Sequence, residues 1–224
     1  MTPQTLADAM DIPLFRAEQW AEPITEALQI GRCRTPEQQA CALATWGHES
    51  AGLTRLVESF NYTPEALMRV WPKHFPNRQM AKFGRAVGRP ADQAAIANIA
   101  YGGRMGNRDG CDGWKYRGRG IPQLTGRDNY RRMGLALGEP YESNPDLVAE
   151  LPHAARVAGQ YWLDNHLADY GGDILTVSRI YNIGTARTNK TPHGWADRKR
   201  RYGIALEALT AHESPRDAVR RMVG

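Results

Sequence analysis

Apolar residues along this chain recur mainly at helical spacing, and the periodic stretches begin at residues that are typical of helix starts. These candidate starts, several with proline in the first turn, are Thr35-Pro36, Thr63-Pro64, Asn77, Asn144-Pro145 and Ser214-Pro215. The clearest periodic stretches are 91–101, 128–137, 153–167, 174–181 and 195–209. Alternating patterns typical of strands are scarce, with at most a short hairpin at 114–124. The pattern therefore predicts a mainly α-helical fold.

One predicted helix begins at Thr35, where Gln38 can complete a capping box, and ends beside a glutamate. Gly47 and Gly52 bracket this residue, Glu49, and glycine commonly ends a helix in a left-handed turn. The apolar positions before Glu49 predict that it lies just past a buried segment. A carboxyl group at such a point is partly desolvated and suits a general acid.

A second glutamate, Glu58, follows nine residues later. Cleavage of a glycosidic bond requires one protonated carboxyl group and one ionised carboxylate at the same bond. On an uninterrupted helix, Glu49 and Glu58 would lie on opposite faces, about 13 Å apart. A break at Gly52 lets residues 53–62 fold back and bring the second carboxyl group towards the first. The alternative is a surface turn in which Glu58 is a solvated charge.

Residues 116–125, with the sequence Tyr-Arg-Gly-Arg-Gly-Ile-Pro-Gln-Leu-Thr, are predicted to form one wall of a binding cleft. The two glycines allow the backbone to approach a ligand, and the proline stiffens the chain after them. The amide of Gln123 and the hydroxyl of Thr125 suit sugar hydroxyl and acetamido groups, and the ring of Tyr116 suits packing against a sugar. The plainer interpretation is a loop that leads to a helix capped by Thr125 or Asp128.

These motifs together match a known family. Gly47-His48-Glu49-Ser50 with the following Glu58, and Tyr-Arg-Gly-Arg-Gly-x-x-Gln-Leu-Thr-x-x-x-Asn-Tyr at 116–130, resemble the family 19 glycoside hydrolases. The resemblance is greatest to the single-domain phage endolysins of that family and extends from about residue 20 to residue 209. It implies that Glu49 is the general acid and Glu58 the general base of an inverting hydrolysis. It also implies that Thr125 helps to hold the attacking water.

The resemblance further implies which residues line the cleft. Gln123 and Asn129 match cleft positions, Asn182 matches the asparagine of the family's Asn-Gly-Gly turn, and Arg198 matches an arginine near the acid. The full set of predicted substrate-binding residues is His48, Tyr116, Gln123, Asn129, Asn182 and Arg198. The implied architecture is a lysozyme-like, bilobal helical domain with a central substrate cleft, which we expect 72–90 and 102–113 to flank.

Size, composition and charge agree with a modest enzyme. The 224 residues are 42% apolar with a mean hydropathy of −0.57, and we expect one catalytic domain over 1–224 without a separate wall-binding domain. The net charge of +5 favours an anionic partner. Basic residues cluster at 198–201. The predicted C-terminal helix carries a second basic group: Arg216, Arg220 and Arg221. That helix is a candidate contact for an anionic outer membrane, although most such charge runs are solvated helix faces.

Other chemistries lack their signatures. His48-Glu49 has no second histidine at the spacing of a zinc protease, and the three cysteines show no Cys-x-x-Cys pair. Neither a dinucleotide-binding nor a nucleic-acid-binding motif is present. We therefore expect no metal, no organic cofactor and no nucleic-acid partner.

The residues and the resemblance together predict an endolysin that hydrolyses β-1,4 bonds of bacterial peptidoglycan for host cell lysis. Two alternatives remain: a chitinase acting on N-acetylglucosamine polymers, and a non-catalytic module that binds cell wall or nucleic acid. We expect the protein to be a monomer. Because the chain shows no signal peptide, we also expect it to stay in the host cytoplasm until a membrane pore releases it to the periplasm.

Overall fold

The computed structural model describes residues 1–108 and 110–211 and confirms the mainly α-helical fold. Within these residues the α-helices are α1 (Pro3–Met10), α2 (Leu14–Ile30), α3 (Pro36–Glu49), α4 (Pro64–Val70), α5 (Gln93–Tyr101), α6 (Asp112–Lys115), α7 (Arg127–Leu137), α8 (His153–Asp164), α9 (Ile174–Ile183) and α10 (Trp195–Ala211). The 3-10 helices are Met80–Phe83, Pro145–Ala149 and Leu167–Tyr170. The predicted hairpin is reduced to isolated β-bridges, one of which joins Arg119 to Leu124.

Local capping explains why several helices begin where the sequence predicts. Thr35 and Gln38 form the capping box of α3, and the Thr63 hydroxyl accepts a hydrogen bond from the backbone of α4. Asn77 accepts from the backbone N–H of Met80 at the next 3-10 helix. The two N-terminal helices, α1 and α2, were not predicted. The predicted start at Ser214 lies outside the described residues.

The chain divides into two compact units, a first unit of residues 1–55 and 151 onwards and a second unit of residues 56–150. In the first unit, α3 is the central helix, and its residues 40–47 are all buried. Helix α10 packs against α1, α3 and α9, while α2 packs against α8. Gly159 allows the last contact, because a Cβ there would lie 2.4 Å from the carbonyl oxygen of Ala27.

The second unit has an aromatic core of its own. Phe60 stacks on Trp71 and meets Tyr101 and Trp114 edge to face, with centroid distances of 5.7 to 6.4 Å. Phe60 is fully buried and directly follows a segment that contains Glu58. The core of the second unit therefore holds the chain beside the predicted base. That the whole chain acts as one catalytic domain stays a prediction.

None of the helices in the described residues is long and apolar enough to cross a membrane.

Candidate active site

Glu49 is the last residue of α3, and a left-handed turn follows it. The hydroxyl of Ser50 donates to the carbonyl of Trp46 at 2.6 Å and accepts from the N–H of Leu53 at 2.9 Å. The left-handed residues after the cap Ser50 are Ala51, Gly52 and Leu53, with φ of +50°, +68° and +66°, and the N–H of Gly52 donates to the carbonyl of Gly47 at 2.8 Å. The predicted left-handed turn is therefore present, but its first residue is Ala51 and Gly52 is the second. Gly47 has a different role, since it lies inside the helix where a Cβ would be 3.2 Å from the guanidinium of Arg201.

Glu49 is paired with Arg198, a buried arginine on α10. Nη2 of Arg198 donates to Oε1 of Glu49, and the two side chains are 1% and 22% exposed. Nε of Arg198 donates to the carbonyl of His193 at 3.0 Å, which fixes the plane of the guanidinium. Burial, and then the negative charge of Glu49, raise the pKa of Tyr181 well above its ordinary value. The predicted proximity of Arg198 to Glu49 is thus present in the first unit.

His48 belongs to a charged network next to this pair. Its Nδ1 lies 2.8 Å from Oδ2 of Asp197, which also accepts from Nε of Arg201 at 2.8 Å. Burial would raise the pKa of Asp197, but hydrogen bonds from His48, Arg201 and Arg200 lower it well below its ordinary value. Gly194 lets the imidazole sit close to the backbone, because a Cβ there would lie 2.2 Å from the ring.

Asn182 is exposed near the end of α9, and its side chain holds a loop. Its Oδ1 accepts from the N–H of His193 at 2.8 Å. The carbonyl of His193 accepts a hydrogen bond from Nε of Arg198, so the loop before α10 is attached to both α9 and α10. The first unit therefore brings four predicted site residues together: Glu49, His48, Asn182 and Arg198.

In the second unit, Glu58 and Gly118 form a reciprocal pair. The N–H of Glu58 donates to the carbonyl of Gly118 at 2.8 Å, and the N–H of Gly118 donates to Oε2 of Glu58 at 3.1 Å. Gly118 leaves room for both side chains, since a Cβ would lie 2.8 Å from Oε1 of Gln123 and 3.0 Å from Oε2 of Glu58, so a larger residue would displace them. The glycine-rich motif thus approaches the predicted base rather than only an external ligand.

Tyr101 is the residue that sequence reasoning missed. Its hydroxyl donates to Oε1 of Glu58 at 2.8 Å across 43 residues, a separation that no local motif marks. Burial raises the pKa of Glu58 above its ordinary 4.5, although hydrogen bonds from Tyr101 and Gly118 oppose the change. Burial and then the charge of Glu58 raise the pKa of the Tyr101 hydroxyl, which therefore stays a donor.

The other predicted residues of the glycine-rich motif hold its backbone. Nε2 of Gln123 donates to the carbonyl of Gly120 at 3.1 Å, and the Thr125 hydroxyl donates to the carbonyl of Gln123 at 2.9 Å. Nδ2 of Asn129 donates to the carbonyl of Thr125 at 2.8 Å, and its Oδ1 accepts from Arg132 at 3.3 Å. The N-cap residue of α7 is Gly126, which has no side chain that could cap the helix. Thr125 therefore does not cap α7. All three side chains are partly exposed.

Tyr116 is placed differently from the expectation. It is 1% exposed, and its hydroxyl donates to the carbonyl of Glu142 at 3.0 Å. The cations of Lys115 and Arg127 lie 5.2 and 5.8 Å from its ring centre. In the described structure this ring supports the second unit, and its contact with a sugar stays a prediction.

Known proteins are similar to this chain in sequence. No protein-family model matches the chain. A glycosyl hydrolase family 19 domain-containing protein from Haemophilus influenzae is 37% identical over 165 residues, which cover 73% of this chain and 79% of that protein. Acidic endochitinase Q from Nicotiana tabacum is 38% identical over 69 residues, which cover 31% of this chain and 27% of that protein.

A solved structure shows the same fold. Chitinase C from Streptomyces griseus HUT6037 superposes with a TM-score of 0.56 at 18% identity, over 93% of this chain and 76% of that chain. The predicted lysozyme-like helical fold is therefore confirmed. The identity and coverage of the Haemophilus relative establish that this chain belongs to glycosyl hydrolase family 19.

Proposed function

We propose that this family 19 glycosidase is an endolysin that hydrolyses the β-1,4 bonds between amino sugars of bacterial peptidoglycan. The observation that carries the proposal is a pair of glutamates in different settings. Glu49 contacts a buried guanidinium, whereas Glu58 accepts hydrogen bonds from a phenol and a backbone N–H. Acid–base hydrolysis of a glycoside needs two carboxyl groups with different environments.

We assign the acid to Glu49. Arg198 donates to Oε1 of Glu49, which leaves Oε2 to carry the proton that a general acid delivers to the bridging oxygen. After that transfer the carboxylate is negative, and the adjacent guanidinium stabilises it. His48 and Asp197 then act as positioning residues for the end of α3.

We assign the base to Glu58. Its raised pKa makes the ionised carboxylate a stronger base towards water than an ordinary glutamate. The proton of the Thr125 hydroxyl is committed to the Gln123 carbonyl, so its oxygen can accept a hydrogen bond from the attacking water. Water delivered to the ring face opposite the leaving group would give an inverted product.

Charge supports peptidoglycan as the substrate. Its lactyl-peptide branches carry carboxylates, whereas chitin is neutral, and the chain carries a net charge of +5. A chitinase is the second candidate, because two proteins that this chain resembles are described as an endochitinase and a chitinase.

Turbidity loss and reducing-sugar release from purified peptidoglycan, with colloidal chitin in parallel, separate these candidates. We expect the wild type to clear peptidoglycan and Glu49→Gln to lose this activity. The control Glu207→Gln, which changes an exposed glutamate on α10, should clear peptidoglycan like the wild type. Clearing of chitin alone would establish the chitinase. No hydrolysis of either polymer would favour the binding module.

The two catalytic roles are tested with chemical probes. An oligosaccharide with a nitrophenol leaving group needs little acid assistance, so Glu49→Gln should retain more activity on it than on the natural polymer. Azide should restore turnover to Glu58→Ala and yield a glycosyl azide of inverted configuration. Azide rescue of Glu49→Ala instead would reverse the two assignments.

We also propose that the protein is a monomer that reaches the cell wall only after a membrane pore opens. Expression in a bacterial cytoplasm should leave cells intact until the inner membrane is permeabilised. Lysis without permeabilisation, or a dimer in light scattering, would contradict this part of the proposal.

A further inference from the structure

The second unit contains a cationic surface segment, residues 69–89. Most of it belongs to the stretch 72–90 that the sequence predicts to flank the cleft, but none of its cations has a role in the proposed acid–base chemistry. Residues 66–91 include six cations and no aspartate or glutamate. The cations are Arg69, Lys73, Arg78, Lys82, Arg85 and Arg89, and all six are exposed. Of the nearest acidic residues, Glu65 pairs with Arg78 at 2.8 Å and Asp92 caps the start of α5. The segment therefore keeps an excess of positive charge at its surface.

Apolar side chains project from the same segment. Val70 and Met80 are 45% and 42% exposed, and Val87 is fully exposed. Val87 lies at the tip of a tight turn, which two hydrogen bonds between the backbones of Ala86 and Arg89 close at 2.9 and 3.0 Å. A single exposed aliphatic residue is ordinary on a protein surface, but three within one cationic segment add apolar area to it. The combination is typical of a surface that meets an apolar phase.

The segment is held firmly from below. Nη2 of Arg89 donates to the carbonyls of Lys82 and Gly84 at 2.6 and 2.9 Å. The N–H of Arg85 donates to the carbonyl of Tyr62 at 2.8 Å. Phe75 and its aromatic neighbours pack into the core described above. The cations and Val87 therefore lie on a backbone that is already fixed by hydrogen bonds, so binding costs little conformational entropy.

The exposed chemistry selects one kind of partner. Single-stranded nucleic acids stack their bases on exposed aromatic rings, and sugars also pack on such rings. Here Trp71 and Phe75 pack against the core, and the exposed large apolar side chains Val70, Met80 and Val87 are not aromatic. Cations that flank aliphatic tips match a bilayer, where phosphate headgroups surround an apolar interior.

We propose that residues 69–89 dock onto the surface of an anionic phospholipid bilayer, with Val87 entering the headgroup region and the cations contacting lipid phosphates. This interaction is separate from hydrolysis. It would concentrate the enzyme at a membrane that borders the cell wall.

Sedimentation of the full chain with vesicles tests the proposal. Vesicles of phosphatidylcholine alone are compared with vesicles that also contain phosphatidylglycerol. The charge variant is Lys73→Gln/Lys82→Gln/Arg85→Gln, three cations that hold no backbone carbonyl. Its matched control is Arg32→Gln/Arg34→Gln/Lys199→Gln, three exposed cations of the first unit.

We expect the wild type to bind only the anionic vesicles. Each cation near an anionic surface changes the partition coefficient by about fivefold, so the charge variant should lose binding on the order of 100-fold. The control should stay within about twofold of the wild type. Val87→Ser should weaken binding by about fivefold, and Val87→Trp should strengthen it. Because Val87 is fully exposed, neither change disturbs the core.

Three results would overturn the proposal: equal binding of the wild type to both vesicles, equal loss in the control variant, or no response to either Val87 substitution. Hydrolysis of soluble peptidoglycan fragments is measured alongside. The charge variant should retain the wild-type kcat on these fragments, because no cation of the segment takes part in the proposed acid–base step. A loss of hydrolysis that parallels the loss of vesicle binding would also overturn the proposal and assign the segment to the flank of the substrate cleft. Since vesicle binding does not require turnover, failure of the proposed enzymatic function would leave this test interpretable.

Discussion

Tyr101→Phe is the sharpest test of how the second unit tunes its carboxyl group. The substitution removes only the hydroxyl that donates to Oε1 of Glu58 at 2.8 Å. The ring keeps its edge-to-face contact with Phe60, at a centroid distance of 5.7 Å. Glu58 then retains one of its two donors, the N–H of Gly118 at 3.1 Å. The packing and the reciprocal backbone pair are preserved, so the change isolates one hydrogen bond.

The size of the effect follows from the charge on the acceptor. A hydrogen bond to an ionised group contributes about 1.5–3 kcal/mol, and the lower end applies because Glu58 is partly exposed and water replaces part of the contact. About 1.4 kcal/mol corresponds to a tenfold change in an ionisation equilibrium. The Tyr101 hydrogen bond favours the ionised form, so its loss raises the pKa of Glu58 further. The base is then protonated over more of the acidic range.

The assay is the pH profile of kcat/KM, which reports groups of the free enzyme. In the wild type the acidic limb should lie above pH 4.5, because the pKa of Glu58 is raised from that value. Tyr101→Phe should move this limb to higher pH and lower kcat/KM roughly tenfold on the limb. Activity at the alkaline plateau should change much less. Tyr170→Phe, which alters an exposed tyrosine of the first unit, should leave the profile unchanged. An unmoved acidic limb in Tyr101→Phe would refute the reasoning.

Three further changes test other parts of the structure. Gly194→Ala should reduce activity and should destabilise the fold by about 1–3 kcal/mol more than the control Gly138→Ala. Both glycines have a φ near +70°, but only a Cβ at Gly194 would meet the ring of His48. Equal urea midpoints of the two variants would contradict this. Thr35→Ala should lower the free energy of unfolding by about 1 kcal/mol while kcat is retained, since it removes a helix cap far from the carboxyl end of α3; unchanged urea stability would exclude the capping contribution. The raised pKa of Glu58 gives a stability contribution that is complete below pH 4.5 and is lost as the pH rises through the folded value. Glu58→Gln should therefore gain stability relative to wild type as the pH rises above 4.5, and a difference in urea unfolding that stays constant with pH would exclude this contribution.

Local signals in the sequence were sufficient for much of the fold. The capping box at Thr35, the Thr63 cap and the left-handed turn at Gly52 each depend on atoms within about four residues, so short patterns predict them. Helix α9 was predicted at 174–181 and extends over Ile174–Ile183. Helices α1 and α2 were not predicted, and α2 continues through an internal proline that usually ends a helix.

The sequence indicated some residues of the candidate site, and the structure alone showed their contacts. The family motif pointed to Glu49, Glu58 and Arg198, because long motifs preserve the residues that chemistry requires. Only the tertiary structure showed that Tyr101 donates to Glu58, that Gly118 leaves room for the carboxyl group of Glu58, and that Tyr116 is buried.

The sequence by itself determined the helical class and most helix starts, and it pointed to the two carboxyl groups that we propose to react, since each depends on local chain geometry or on a contiguous motif. The tertiary structure decided the environment of those groups. Burial that raises the pKa of Glu58, and a guanidinium that reaches Glu49 from 149 residues away, arise from segments distant in the chain. Desolvation and charge pairing depend on which segments pack together, and no local pattern encodes that packing.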